Sequence, residues 1–225
     1  MEITCTKCKR NKRAVKVALF AILVFLIVWF SIPFTALRVR DSAVMVYVWQ
    51  DGSPTRVGSG VVVDDGVILT ARHVVDGANE IHITTDDGEQ IISTEFYKAD
   101  DTDLGLIIFD CNDMPPKVRL SFCELFVGQT VFGIGSRFIL NNSFFQGFVG
   151  AKNRLSYTFG SKGLTQLDIA GNPGDSGCGI FNRWGNVVGI VVGRRSQGIT
   201  FIIPAKVCRC FVAKYKADKA MKECE

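Results

Sequence analysis

The chain has 225 residues, of which 48% are hydrophobic, 21% are charged and 17 are Phe. That length suits one domain or two small subdomains with a buried core, and the composition excludes a solvated, disordered coil. The formal net charge is +4, but residues 1–40 hold 8 basic residues against Glu2 alone, while residues 41–225 hold 18 basic against 21 acidic. The body is therefore slightly acidic, which argues against a nucleic-acid-binding surface.

The first element is Val17–Leu37, 21 residues without a charge. Roughly 20 apolar residues cross the hydrocarbon core of a bilayer. Lys7, Lys9, Arg10, Lys12, Arg13 and Lys16 precede the run, and only Arg38 and Arg40 follow it closely. That bias predicts a single transmembrane helix over 17–37, a basic cytoplasmic N-terminus over 1–16 and an extracytoplasmic body. A cleaved signal peptide is the alternative, with an apolar core over Val17–Phe30. Phe34-Thr35-Ala36 then puts a bulky residue where cleavage needs a small one. Cys5 and Cys8 form a CxxC with no second pair nearby, and read as solvated thiols or, alternatively, acylation sites.

From Ala43 onward, short apolar runs alternate with turn residues. Val44–Trp49 ends at Asp51-Gly52. Gly60–Val63 and Val67–Thr70 flank Asp64-Asp65-Gly66, and Ile81–Thr84 and Gln90–Ile92 flank Asp86-Asp87-Gly88. Asp-Gly between β-branched runs is a strong hairpin signal. Further strands are expected at Leu104–Phe109, Thr130–Ile134, Phe144–Gly150, Leu164–Asp168, Gly179–Phe181, Val187–Val192 and Thr200–Ile203. Strands spaced this regularly predict an all-β sandwich or barrels, not βαβ units. After Pro204, Val207, Phe211 and Tyr215 share one helical face, predicting a helix over 204–222 laid across the second half of the body.

Three local patterns carry chemistry. Thr70-Ala71-Arg72-His73-Val74-Val75 puts a His after a strand end, and Asp103 stands at the mouth of the apolar strand that starts at Leu104. Gly171-Asn172-Pro173-Gly174-Asp175-Ser176-Gly177 puts a Ser in a Gly-rich loop. A serine hydroxyl is a weak nucleophile without a base beside it, and imidazole accepts that proton near neutral pH. A carboxylate on the second ring nitrogen fixes the tautomer, and Gly residues let backbone N–H groups face a developing oxyanion. The candidate catalytic residues are thus His73, Asp103 and Ser176, with the Gly174 and Ser176 N–H groups as oxyanion donors. Each motif alone is ordinary turn or capping chemistry; their order and strand flanks are what single them out. His82, the other His, lies in an alternating strand and reads as structural or solvated.

At these residues the chain resembles trypsin/chymotrypsin-like serine proteases of family S1, most closely the HtrA (Deg) branch. Gly58–Val63, Thr70–Val75, Asp103–Leu106, Gly171–Gly177, Val187–Ile190 and Phe201–Pro204 are each similar to a family motif. The resemblance implies two six-stranded antiparallel β-barrels, about 42–120 and 121–203, within a protease domain over 42–225. It implies a serine endopeptidase acting on protein or peptide substrates through an acyl-enzyme, without metal or organic cofactor. A peptide-binding module that has the fold without the activity, and a virus-type processing protease, are the alternative readings.

The resemblance also marks departures. Only 21 residues follow Pro204, too few for the PDZ domain usual in that branch, so the oligomeric state stays open. Cys178 stands where the family usually has Gly. Asp175 is typical of other S1 branches, where in zymogens it pairs with a freed N-terminus. Ala170 occupies the position where trypsin-like members carry Asp. With Val191 it is a candidate pocket residue, and the implied P1 preference is small or apolar, not Lys or Arg. Six Cys lie in the body, and an even number in a translocated domain permits disulfides, Cys111–Cys123 being one pairing and Cys208 or Cys210 with Cys178 or Cys224 others. Free buried thiols are the other reading, first of all at Cys178.

Overall fold

The computed structural model describes the backbone of residues 6–110, 115–156 and 161–222. Side chains at 6–13, 25–31, 156 and 161–162 lie outside that description. Cys5, Cys8, Cys111 and Cys224 therefore fall outside it, as does part of the Val17–Leu37 run.

The chain opens with helix α1 (Thr6–Val39), which contains Pro33. Among the described residues no helix is long and apolar enough to cross a membrane. The C-terminal turns of α1 rest on the body: Ala36 and Val39 are buried, and the Thr35 hydroxyl donates to the Arg183 carbonyl at 2.9 Å.

Seven strands follow: β1 (Ala43–Gln50), β2 (Ser53–Asp64), β3 (Val67–Thr70), β4 (Glu80–Thr84), β5 (Gln90–Ser93), β6 (Glu95–Lys98) and β7 (Gly105–Ile108). A helical turn, α2 (Arg72–Val75), follows β3. The strands form one antiparallel sheet in the order β5-β4-β1-β2-β3-β7-β6. Alternation sets the faces: Ile81 and Ile83 of β4 point into the core while their neighbours are partly exposed. In place of the expected closed six-stranded first barrel, the ladder runs as seven strands, with β5 and β6 at its two edges. These two strands are consecutive in the chain and separated by Thr94 alone, so the chain itself links the edges where no ladder joins β5 to β6 among the described residues. One edge, β5, pairs with β4 and the other, β6, pairs with β7. The Ser93 hydroxyl braces the link by donating to the Ile108 carbonyl and accepting the Glu95 N–H at 3.1 Å.

The second half is a closed six-stranded barrel, as expected. Its strands are β8 (Thr130–Arg137), β9 (Leu140–Ser156), β10 (Ser161–Asp168), β11 (Gly179–Phe181), β12 (Val187–Ser196) and β13 (Ile199–Pro204), in the order β10-β13-β12-β11-β8-β9. Phe132 and Phe181 stack inside with ring centroids 5.4 Å apart, and both are fully buried. Burying such rings stabilises by roughly 1.5–3 kcal/mol each, so these layers outweigh any surface ion pair.

Helix α3 (Ala205–Lys222) closes the fold. It lies against both halves, not the second alone. Tyr97 of β6 meets Phe211 at 5.5 Å and Tyr215 at 5.3 Å between ring centroids. Its hydroxyl donates to Asp218 at 2.5 Å, which pushes the phenol up to about 12. A folded-state pKa raised from the ordinary 10 gives stability fully present below pH 10 and lost as pH rises toward 12. Tyr97→Phe is therefore expected to remove a phenol that ionises near pH 12 from an ultraviolet titration and to flatten the stability decline between those pH values. An unchanged titration curve would refute this docking contact.

The described thiols of Cys123, Cys178, Cys208 and Cys210 are free. Cys178 and Cys208 are fully buried; their thiols point at the Ile134 and Ile203 carbonyls, at 3.0 and 3.6 Å. No disulfide joins Cys178 to Cys208 or Cys210. Burial pushes the Cys178 thiol far up and the Cys208 thiol up to about 12, so both stay protonated and unreactive near neutral pH.

Candidate active site

The His73 turn is held from both sides. Val74 and Val75 are buried beneath it, and the Arg56 guanidinium donates to the His73 carbonyl at 2.6 Å. The His73 side chain is left facing a cleft between the two halves, 45% exposed. Asp103 precedes the fully buried Leu104 and is only 12% exposed at its side chain. One Asp103 oxygen accepts the His73 backbone N–H at 2.9 Å; the other lies 2.7 Å from His73 Nδ1. An ionised carboxylate only accepts, so Nδ1 carries the proton and Nε2 keeps its lone pair for the cleft.

Ser176 arrives from the second barrel, on the loop between β10 and β11. The same cleft, of about 760 Å³, is lined by His73, Asp103, Ser176, Val192, Gly193 and Arg194 among others. Among the described residues no hydrogen bond joins His73 to the Ser176 hydroxyl. Such contacts are often long before substrate binds. Gly174 and Gly177 adopt φ of +93° and +85°, the left-handed region that favours glycine. Neither the Gly174 nor the Ser176 N–H has a backbone acceptor among the described residues, so both are available to an incoming oxyanion.

Ser59 of β2 wires this loop to the first sheet. Its N–H donates to the Ser176 carbonyl at 2.8 Å, and its hydroxyl donates to the Gly174 carbonyl at 2.7 Å. The same hydroxyl accepts the Ser136 N–H at 2.9 Å, and the residue is fully buried. Ser59→Ala strands two buried backbone groups. It is expected to lower stability by about 1–3 kcal/mol, read from a denaturant midpoint.

Asp175 is buried behind the loop at 2% exposure. Burial pushes its carboxyl up, while the Asn172 N–H at 2.8 Å and Arg137 Nε at 3.1 Å pull it down. The arginine thus offsets the burial of a charge without fully cancelling it. Sequence reasoning missed both Ser59 and Arg137 as supports of this loop.

The two candidate pocket residues part company. Ala170 is exposed, and its carbonyl accepts Arg137 Nη2 at 2.7 Å. Val191 is buried among Leu167, Ile169, Cys178 and Ile180, and its neighbours Val192, Gly193 and Arg194 line the cleft. His82 lies apart, stacked on Trp49 at 5.0 Å and hydrogen-bonded to Glu80.

The trypsin-like peptidase domain family model matches residues 58–190, more than half of the chain. The chain belongs to the trypsin-like peptidase family. It is 35% identical over 175 residues to a probable periplasmic serine endoprotease, DegP-like, from Marinomonas sp. (strain MWYL1), covering 75% of this chain and 37% of that one. A DegP-like relative from Halomonas elongata is 37% identical over 158 residues, covering 67% and 33%. Among solved structures, the HtrA-type protease AlgW with tripeptide has a TM-score of 0.69 at 27% identity, covering 77% of this chain and 60% of that one. The serine endoprotease from Yersinia pestis has a TM-score of 0.71 at 26% identity, covering 80% and 65%. The chain thus spans about a third of the length of these curated relatives, and the expected likeness to the HtrA branch is met.

Proposed function

We propose that the chain is a membrane-anchored serine endopeptidase. The observation that carries this reading is the Asp103 clamp on His73, with Nδ1 held at 2.7 Å and Ser176 lining the same cleft. His73 Nε2 takes the Ser176 hydroxyl proton as the oxygen attacks the peptide carbonyl. The tetrahedral oxyanion is met by the Gly174 and Ser176 N–H groups. His73 then gives its proton to the leaving amine, and water, activated by the same imidazole, hydrolyses the acyl-enzyme. Asp103 holds the ring and stabilises the imidazolium.

The anchor is proposed from the sequence: 21 uncharged residues at Val17–Leu37 behind a basic block, with the N-terminus cytoplasmic and residues 42–225 extracytoplasmic. The word periplasmic in the relatives' names supports that side for the catalytic body. Substrates are proteins or unfolded segments at that membrane face, in quality control or processing.

A fluorophosphonate probe applied to the full chain in detergent, followed by peptide mass spectrometry, tests the reading. Labelling at Ser176, abolished in His73→Ala, is expected. A binding module with the fold but without the activity would leave Ser176 unlabelled and overturn it.

A further inference from the structure

The β11–β12 turn has no part in the chemistry above, yet it is where helix α1 meets the body. Ile32, Thr35, Ala36 and Val39 recur at helical spacing on one face of α1, and that face is turned to the body. Thr35, Ala36 and Val39 are buried, and Ile32 packs against the core. The Thr35 hydroxyl donates to the Arg183 carbonyl at 2.9 Å. Gly185, at φ +78°, lies so close that a Cβ there would stand 2.8 Å from a Val39 methyl and 3.0 Å from the Thr35 methyl. Trp184, between these two contact residues, is 75% exposed. Its backbone is fixed all the same. The Trp184 and Asn186 N–H groups both donate to Asn182 Oδ1, at 3.0 and 3.1 Å, and the Gly185 N–H returns to the Asn182 carbonyl at 2.9 Å. The other side of α1 presents Phe34 and Leu37, both exposed.

Depth follows from the uncharged run. Val17–Leu37 carries no charge, so its end marks where the chain leaves the hydrocarbon of a bilayer. Thr35 and Val39 each lie two residues from Leu37, about 3 Å along the helix axis. The turn that touches both is therefore level with the boundary between acyl chains and headgroups. That is the depth tryptophan favours, with its ring against acyl chains and its N–H among polar headgroups. Arg38 is exposed at the same level, and its side chain is long enough to reach lipid phosphates. No long linker intervenes between helix and body: α1 ends at Val39, a single turn follows over Arg40–Ser42, and β1 starts at Ala43.

We propose that the β11–β12 turn is a membrane-seating surface whose partner is the lipid bilayer that holds α1, with Trp184 inserted at the headgroup boundary. The proposal rests on Val17–Leu37 being the membrane anchor. Phe34 and Leu37 meet the same lipid from the helix side. The body is thereby seated against the membrane instead of swinging on a tether, and the catalytic cleft stays at one height above that face.

The test uses the full chain reconstituted in phosphatidylcholine vesicles whose acyl chains carry bromine either near the headgroup or near the chain middle. The sequence holds three Trp, at Trp29, Trp49 and Trp184, so two Trp→Phe substitutions leave one reporter. With Trp184 as reporter, the shallow bromines are expected to quench its emission strongly and the deep ones weakly. With Trp29 as reporter, near the middle of the uncharged run, the deep bromines are expected to quench more strongly. Trp184 emission that neither lipid quenches overturns the seating, whether iodide then reaches the ring from water or a second copy of the chain shields it. Trp29 emission that neither lipid quenches instead overturns the anchor reading beneath it. Should a double substitution fail to fold, Trp184→Phe alone carries the comparison. The quenching of the unaltered chain by shallow bromines is then expected to fall, and unchanged quenching overturns the seating.

Discussion

Ser176→Ala is expected to reduce peptide hydrolysis by about a million-fold in kcat/KM, with no change in the thermal unfolding transition. The two halves of that expectation have separate causes. In the proposed mechanism the chemistry depends on the Ser176 hydroxyl, the oxygen that attacks the peptide carbonyl. The fold does not depend on it. Among the described residues the nucleophile loop is braced through backbone groups: Ser59 N–H to the Ser176 carbonyl, and Gly177 N–H to the Val191 carbonyl at 2.8 Å each. Alanine keeps every one of these. His73→Ala should fall to a similar floor, and Asp103→Asn should lose about ten-thousand-fold by favouring the wrong imidazole tautomer. Undiminished cleavage by the purified Ser176→Ala protein would sink the mechanism. A fall in activity accompanied by a large drop in unfolding temperature would point instead to a loop held by the hydroxyl.

Much of the site is readable from local chemistry. His73, Asp103 and Ser176 each sit at the end of an apolar strand, and strand ends set side-chain direction within a few residues. The Asp64-Asp65-Gly66 turn is likewise local, and β2 and β3 pair across it. What escaped the sequence is tertiary. β6 (Glu95–Lys98) has charged ends and a single alternation; it is a strand because β7 offers it a ladder partner. Arg137 and Asp175 are 38 positions apart, and nothing in Gly-Ser-Arg-Phe marks that arginine as the partner of a buried acid. Val191, the other candidate pocket residue, lies on β12. The β12–β13 register shifts between Val191 and Gly193, so alternation no longer tells which residue meets the cleft. The helix α3 was visible from its apolar stripe, but its landing place on Tyr97 depends on β6 pairing with β7.

Gly174→Ala is expected to lower kcat by about 100- to 1,000-fold while KM changes little. The backbone at Gly174 lies at φ +93°, where an L side chain is strained whatever space surrounds it. Space is also absent: a Cβ at this position would stand 2.0 Å from the Ser136 carbonyl oxygen and 3.0 Å from its carbon. Those atoms are backbone at the end of β8, between the Ser59 hydroxyl and Arg137, so they cannot swing aside as a flexible side chain would. The peptide unit must therefore rotate, and the Gly174 N–H turns away from the oxyanion. The cleft wall at Val192 and Gly193 is untouched by that rotation, which is why the loss is expected to fall on kcat. Gly177→Ala makes the contrast. Its Cβ would meet the Ser59 carbonyl at 2.0 Å and the Thr70 hydroxyl at 2.2 Å, at the junction of the two halves. That variant is expected to lose stability as well as activity, seen as a lowered denaturant midpoint. Steady-state kinetics and urea unfolding on both variants separate the two effects. Wild-type kcat in a folded Gly174→Ala protein would show that this N–H is not an oxyanion donor.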